Sequence, residues 1–326
     1  MKSLPYDNLS PDMILTAVEK LGFITTGQLL ALNSYENRVY EVGVEEFKRI
    51  VVKFYRPQRW SNEAILEEHQ FCFELEDREI PVVSPLNINN QSLHVIEDHR
   101  YAVFPAKGGR APEIDNEEVL KILGHFIGRI HAVGSIKKFK HRPTIDIKTY
   151  GYESTQYLLE NDLLPGYLAP SYEAITREIF NASETRYQYC DNLKYIRIHA
   201  DLHCGNILMD LDLPHIVDLD DCRMGPAIQD IWMLLSGDIE QQPKKLNTFL
   251  DAYNEFYDFD TRELHLIEVF RSLRMIHYSA WLARRWHDPA FPMHFPFFGS
   301  DRYWEEQILY LKEQLTLLQE PPGIFL

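Results

Sequence analysis

Hydrophobic and polar positions repeat with two different periods along this chain, and the change of period divides it. Ile14, Leu15, Val18 and Leu21 recur at helical spacing behind Ser10 and Pro11, with Asp12 in the first turn and Gly22 just beyond, which predicts a first helix. Residues 37–42 and 49–55 instead read as strands, joined by a turn around Gly43 to Glu46 and ended by Arg56-Pro57, so they predict a hairpin. Ser61 then caps a helix carrying Ile65, Leu66, Phe71 and Leu75, which stops before Ile80-Pro81. A second strand pair, near 92–96 and 101–104, is joined by Glu97-Asp98-His99-Arg100. Residues 1–104 therefore predict a small lobe built on an antiparallel sheet.

Past Pro105-Ala106-Lys107-Gly108-Gly109-Arg110 strands give way to mainly helical periodicity. Asp115 and Glu118 have capping-box spacing, and Val119, Ile122, Leu123, Phe126, Ile127 and Ile130 continue an apolar stripe to Gly134. Gly124 and Gly128 lie one turn apart in that helix, where each costs about 1 kcal/mol against Ala, and the close approach of another helix would account for them. Further helices are predicted near 151–162, 170–192, 226–235, 243–257, 261–286 and 303–318. The expected class is α+β and bilobal, with a sheet lobe over 1–104 and a larger, mainly helical lobe over 105–326.

Composition narrows the function. Lys and Arg number 33 against 49 Asp and Glu, a net charge of −16, which argues against nucleic acid as a partner because no dense basic stretch offsets it. Hydrophobic residues at 45% and aromatics at 13% suffice for a sizeable core and exclude disorder over most of the chain. No run approaches the roughly 18 apolar residues of a membrane span, and residues 1–7 lack an apolar leader segment. Cys72, Cys190, Cys204 and Cys222 are too few and too scattered for a disulfide framework. A cytoplasmic protein with no membrane partner is the expectation.

The densest chemistry lies in Ile198-His199-Ala200-Asp201-Leu202-His203-Cys204-Gly205-Asn206-Ile207-Leu208 and in the following His215-Ile216-Val217-Asp218-Leu219-Asp220-Asp221. A His-x-Asp-x-x-x-x-Asn spacing suits phosphoryl transfer: Asp201 can take the proton of an attacking hydroxyl, and Asn206 can offer a hard oxygen to Mg2+. Asp218, at the end of the next strand fragment, can supply a second oxygen to the metal. Upstream, alternation sets Lys53 with Val51 and Tyr55 on one face of its strand, where it can pair with nucleotide phosphates, and Glu68 is the expected ion-pair partner in preference to Glu67. Phe104 and Ala106, at the lobe junction, can present backbone N–H and C=O groups to a purine edge. His199 and His203 are spaced like a metal pair, but Asp201 between them and the lack of a third ligand argue against zinc.

The loop His199-Ala200-Asp201-Leu202-His203-Cys204-Gly205-Asn206-Ile207-Leu208 resembles the signature of the aminoglycoside phosphotransferase and choline kinase superfamily. Leu32-Asn33-Ser34-Tyr35-Glu36-Asn37-Arg38-Val39-Tyr40, Ile65-Leu66-Glu67-Glu68-His69-Gln70-Phe71, Val217-Asp218-Leu219-Asp220-Asp221 and Arg284-Arg285-Trp286-His287-Asp288-Pro289-Ala290-Phe291-Pro292 are similar to its bacterial stress-response kinase branch. The resemblance implies a protein-kinase-like fold and an ATP- and Mg2+-dependent serine/threonine protein kinase, monomeric and acting on protein substrates under stress. It also implies Asp201 as catalytic base, Asn206 and Asp218 as metal ligands, and Asp230 as a brace for the catalytic loop. Asp218-Leu219-Asp220 replaces the protein-kinase tripeptide that ends in glycine, and the phosphate-covering segment Ser34-Tyr35-Glu36-Asn37 lacks glycine, so side-chain contacts from Ser34 or Asn37 are expected there instead. The alternative acceptor is a small molecule, the hydroxyl of an amino alcohol, sugar or aminoglycoside. A catalytically dead binding module is disfavoured because Lys53, Asp201, Asn206 and Asp218 are all present.

Overall fold

Ser10 accepts the N–H of Met13 at 3.2 Å and Pro11 opens helix α1 (Pro11–Glu19), as the spacing predicts. The computed structural model describes residues 5–161, 163–235 and 242–320. It divides into two compact units: the first comprises residues up to Glu113 with Phe139–Arg142 and His203–Cys222, and the second the remainder.

In the first unit, β1 (Thr25–Ala31), β2 (Arg38–Val44), β3 (Lys48–Phe54), β4 (His94–Ile96) and β5 (His99–Pro105) form an antiparallel sheet in the order β1-β2-β3-β5-β4. The sequence reading found β2 to β5 and missed β1. That strand is a mostly exposed edge with the polar start Thr25-Thr26-Gly27-Gln28 and a register shift between Thr25 and Leu29, so it carries almost no alternation to detect. Ile50, Val52 and Phe54 turn to one face, packing with Ile14, Ala17 and Val18 of α1 and with Val42, Tyr101 and Val103. Tyr55 turns the other way, against Ile65 of α2 (Asn62–Glu76). The two-residue period that buries Ile50, Val52 and Phe54 on the α1 side therefore sends Lys53 to the α2 side.

The single boundary at 104/105 differs from the observed division. β7 (Ile207–Asp210) and β8 (Leu213–Ile216) form a hairpin that belongs to the first unit, held where Val83 N–H donates to Ile216 O at 2.9 Å and where Arg110 and Met209 exchange backbone hydrogen bonds of 3.0 and 2.7 Å. A segment a hundred residues downstream thus docks on the chain between Pro81 and Arg110.

The second unit contains α3 (Glu117–Gly134), α4 (Glu153–Glu160), α5 (Ala169–Tyr187), α6 (Ile228–Ile231), α7 (Gln242–Tyr253), α8 (Ile267–Arg285), α9 (Ala290–His294) and α10 (Asp301–Gln319), with β6 (Ile196–Ile198) paired to β9 (Arg223–Gly225). A π-helical turn, Ile147–Tyr152, leads into α4, and the predicted helix at 261–286 opens with a 3-10 stretch, Thr261–Leu266, before α8. The expected Asp115/Glu118 capping box does not form. Asn116 caps α3 by accepting the Glu118 N–H at 2.9 Å, and Asp115 pairs with Lys245 at 2.5 Å. Among the described residues no helix is long and apolar enough to cross a membrane.

Gly124 and Gly128 have the expected cause. A Cβ on Gly124 would lie 2.4 Å from the carbonyl oxygen of Phe249, and one on Gly128 would lie 2.6 Å from that of Tyr253, both on α7. Because those obstacles are backbone, α3 and α7 must separate to admit a methyl group. Gly124→Ala and Gly128→Ala should each destabilise the chain by about 1–3 kcal/mol despite better helix propensity. Denaturant unfolding checks this, and a stability equal to or above that of the parent chain would refute it.

Candidate functional site

Within the first unit the charged side chains converge on Lys53. Its Nζ stands 3.4 Å from Glu68 Oε1, 3.1 Å from Asp218 Oδ1 and 3.3 Å from Asp220 Oδ1. Lys53, Glu68 and Asp220 are buried, whereas the Asp218 side chain is 54% exposed. Burial alone would push the Lys53 ammonium down, but Asp220, Glu68 and Asp218 outweigh it and hold the group well above its usual range. Burial pushes the Glu68 carboxyl up, and Lys53 and Arg142 oppose that rise.

Two arginines that the sequence reading did not single out complete the cluster. Arg142 donates to Glu68 Oε2 at 3.0 Å and to the carbonyls of Asp220 and Cys222 at 2.7 and 2.9 Å. Arg59 pairs with Asp220 and, at 2.7 Å, with Asp221. Burial would raise the Asp220 carboxyl, but Arg59 and Lys53 prevail and hold it below the usual carboxylate range. Nothing in Arg56-Pro57-Gln58-Arg59 or His141-Arg142-Pro143 distinguishes these two from surface arginines, so only the fold reveals them. Glu67 faces elsewhere, accepting the N–H groups of Lys140 at 2.7 Å and His141 at 2.9 Å.

The β7/β8 hairpin sets Asn206 beside Asp218. Ile207 pairs with Ile216, and Val217 N–H donates to Asn206 O at 3.0 Å, so the residues flanking the ladder end up as neighbours. Asp218 itself adopts a left-handed backbone, φ 59° and ψ 61°, which Asp tolerates better than most residues. An amide oxygen and an exposed carboxylate fit Mg2+, which usually takes one or two protein oxygens and fills its octahedron with phosphate and water.

In the second unit Asp230 holds the segment before Asp201. Its carboxylate is fully buried and accepts the N–H groups of His199 and Ala200, both at 2.7 Å, while Gln229 Nε2 donates to Ala200 O at 2.9 Å. His131 lies 3.1 Å from the same carboxylate and 2.7 Å from the Tyr253 hydroxyl. These bonds hold Ala200 at φ 70°, a region alanine rarely occupies and one that costs on the order of 1–3 kcal/mol. His199 Nδ1 accepts the N–H of Asp201 at 3.3 Å, and Asp201 Oδ1 accepts from Arg274 of α8 at 2.7 Å. In the first unit, His203 Nδ1 accepts the N–H of Gly205 at 3.0 Å.

Glu263 supports α6, the helix that bears Asp230, by accepting the Ile228 N–H at 2.9 Å. Burial pushes its carboxyl from 4.5 up to about 8. Between those values the folded chain keeps a proton that the unfolded chain has released, so raising pH across this window favours unfolding. Glu263→Gln should remove that slope, gaining roughly 5 °C in Tm relative to the parent between about pH 5 and pH 8. Thermal unfolding at both pH values tests this, and a pH-independent difference would refute it.

The remaining expected nucleotide contacts are all placed in the first unit. Ser34 Oγ donates to Asn37 O at 3.2 Å and closes the loop on itself. Asn37, the other side chain expected at the phosphates, lies in the same loop. Its amide is buried, donating to Asp220 Oδ2 at 3.1 Å and accepting the Arg56 N–H at 3.0 Å, so both ends are spent holding the loop. Phe104 pairs with Val51 on β5 and its ring lies 6.0 Å from Lys53 Nζ, while Ala106 follows the last ladder pair, Ile50 with Pro105. Cys204 is half-buried, and burial pushes its thiol up, away from the reactive thiolate.

Comparison with known proteins shows the family. The profile of the phosphotransferase enzyme family matches residues 28–267. Stress response kinase A of Shigella flexneri is 44% identical over 317 residues, covering 97% of this chain and 96% of that protein. The serine/threonine protein kinase RdoA of Salmonella typhimurium is 43% identical over the same share of each chain. Amicoumacin kinase, solved with AMP-PNP and Ca2+, superposes with a TM-score of 0.71 at 22% identity, covering 96% of this chain and 93% of that one, a likeness of fold. A family profile over most of the chain and relatives 43–44% identical across nearly its whole length establish the kinship: this chain is a kinase and belongs to the phosphotransferase enzyme family.

Proposed function

We propose that this kinase transfers the γ-phosphate of ATP, with Mg2+, to serine or threonine hydroxyls of protein substrates, as part of a stress response. The observation that carries the nucleotide half is the convergence of Glu68, Asp218 and Asp220 on Lys53, which keeps a buried ammonium charged. Lys53 engages the α- and β-phosphates, with Glu68 fixing its direction. Phe104 to Ala106 present the purine edge with its hydrogen-bond partners, and Ser34 closes the loop over the phosphates. Asn206 and Asp218 hold Mg2+, which when bound neutralises charge developing on the β- and γ-phosphate oxygens. Asp201 accepts the proton of the attacking hydroxyl as the new O–P bond forms. The bond from the γ-phosphorus to the β–γ bridging oxygen breaks, and its electron pair leaves with ADP.

The protein acceptor is supported by the identity to RdoA and to stress response kinase A across nearly the whole chain. The test is purified protein with labelled Mg-ATP, offered a Ser/Thr peptide library beside amino alcohols, sugars and aminoglycosides. Label on peptides supports the reading. Label confined to small acceptors would replace the protein substrate, and label on nothing would reject the reading altogether.

A further inference from the structure

Arg142 closes a ring around the buried lysine. Its Nε donates to the carbonyl of Ala64 at 2.8 Å and its Nη2 to Glu68 Oε2 at 3.0 Å, both on α2 and one turn apart on the same face. Its Nη1 donates to the carbonyls of Asp220 and Cys222 at 2.7 and 2.9 Å, in the segment that follows Asp218. The Arg142 side chain is fully buried, and the Trp60 ring lies 4.7 Å from its guanidinium carbon. Glu68 therefore divides its two oxygens, giving Oε1 to Lys53 at 3.4 Å and Oε2 to Arg142. Asp220 is divided likewise, its carbonyl on Arg142 and its Oδ1 3.3 Å from Lys53. A closed circuit runs from Lys53 through Glu68, Arg142 and Asp220 back to Lys53.

We propose that Arg142 is a positioning residue for phosphoryl transfer, which fixes the phosphate-binding lysine and the metal-binding segment at one spacing. The inference rests on Lys53 engaging phosphate and on Asp218 holding Mg2+. Charge pairing alone does not call for this arrangement. Glu68 already has Lys53, and Asp220 Oδ2 has Arg59 and the Asn37 amide. Three of the four Arg142 bonds go instead to backbone carbonyls, of Ala64, Asp220 and Cys222, which need no counter-charge and whose capture fixes the path of the chain. Arg142 stands 74 residues after Glu68 and 80 before Cys222, so it joins elements that no local pattern ties together. The spacing matters because lysine and metal must meet the same triphosphate, where a misplacement of about 1 Å can cost about 10²-fold in rate. Arginine suits the task because its planar fork carries five donors, whereas a lysine ammonium donates from a single atom and cannot serve both elements at once.

The experiment uses the full chain and Arg142→Lys, which keeps the charge but not the fork, at a temperature where circular dichroism shows both proteins folded. Mg-ATP affinity by calorimetry should fall at least fivefold, and the rate of transfer to the Ser/Thr peptide library at saturating Mg-ATP at least tenfold. Asp218→Asn should cost less Mg-ATP affinity in the Arg142→Lys background than in the parent, because the carboxylate it removes is already misplaced. A lowered unfolding midpoint with the parental transfer rate, or additive losses in the double variant, would make Arg142 a purely structural residue and overturn the proposal. Hydrogen exchange on the parent chain needs no variant. At saturating AMP-PNP, adding Mg2+ should slow the amides of residues 62–68 together with those of 219–222, and slowing confined to 219–222 would overturn the coupling. A parental affinity that does not respond to Mg2+, or responds equally in Asp218→Asn, would instead overturn the metal assignment on which the proposal rests.

Discussion

Asp201→Asn is expected to bind Mg-ATP as the parent does and to transfer phosphate about 10²–10⁴-fold more slowly. Asparagine matches aspartate in shape, and its amide oxygen can still accept from Arg274, which donates to Asp201 Oδ1 at 2.7 Å. The Asp230 bonds to His199 and Ala200 do not involve the substituted side chain, so the segment keeps its conformation. What the variant loses is a group that can take up the hydroxyl proton. Calorimetry with Mg-ATP and turnover at saturating acceptor measure the two halves separately. A variant retaining more than a tenth of the parental turnover would remove Asp201 from the role of base.

Asp218→Asn should act earlier, on nucleotide binding. Asparagine tolerates the left-handed backbone at this position, so the fold is spared, but the charged oxygen needed by Mg2+ is gone. Asp218 also stands 3.1 Å from Lys53, and neutralising it leaves the ammonium with fewer competitors for phosphate. Two opposite effects follow. Affinity for Mg-ATP should fall at least about tenfold, or 1.4 kcal/mol, with transfer falling further, whereas metal-free ATP should bind no worse than to the parent. Calorimetry with and without Mg2+ decides between them. Equal losses in both conditions would mean that Asp218 serves the fold of the Lys53 cluster rather than the metal.

Much of the first unit was legible because its elements carry local marks. Ser10 and Ser61 as caps, the alternation in β2 and β3, and the break at Arg56-Pro57 each act within a few residues, and α1, α2 and the hairpin appear where those marks place them. The failures have physical causes of the same scale. β1 offers polar residues on an exposed edge, where burial imposes no pattern. The cap of α3 is Asn116 rather than Asp115 because the helix begins one residue later, at Glu117, leaving Asp115 outside it and paired with Lys245.

By itself the sequence determined the α+β order, the face of Lys53 on its strand, and the reason for glycine at 124 and 128. Each of these depends on periods and spacings that a chain carries locally. The expected preference for Glu68 over Glu67 acquired its physical reason in the tertiary structure, since the two differ by one helical position and the docking of Phe139–Arg142 gives Glu67 its own backbone partners. The tertiary structure alone recruited Arg59 and Arg142 to the carboxylate cluster and spent the Asn37 amide on Asp220. It alone brought Arg274 to Asp201 across 73 residues of sequence. Charges buried together must be paired wherever their partners lie in the chain, and the choice among chemically equal partners is made by packing geometry, which no local pattern encodes.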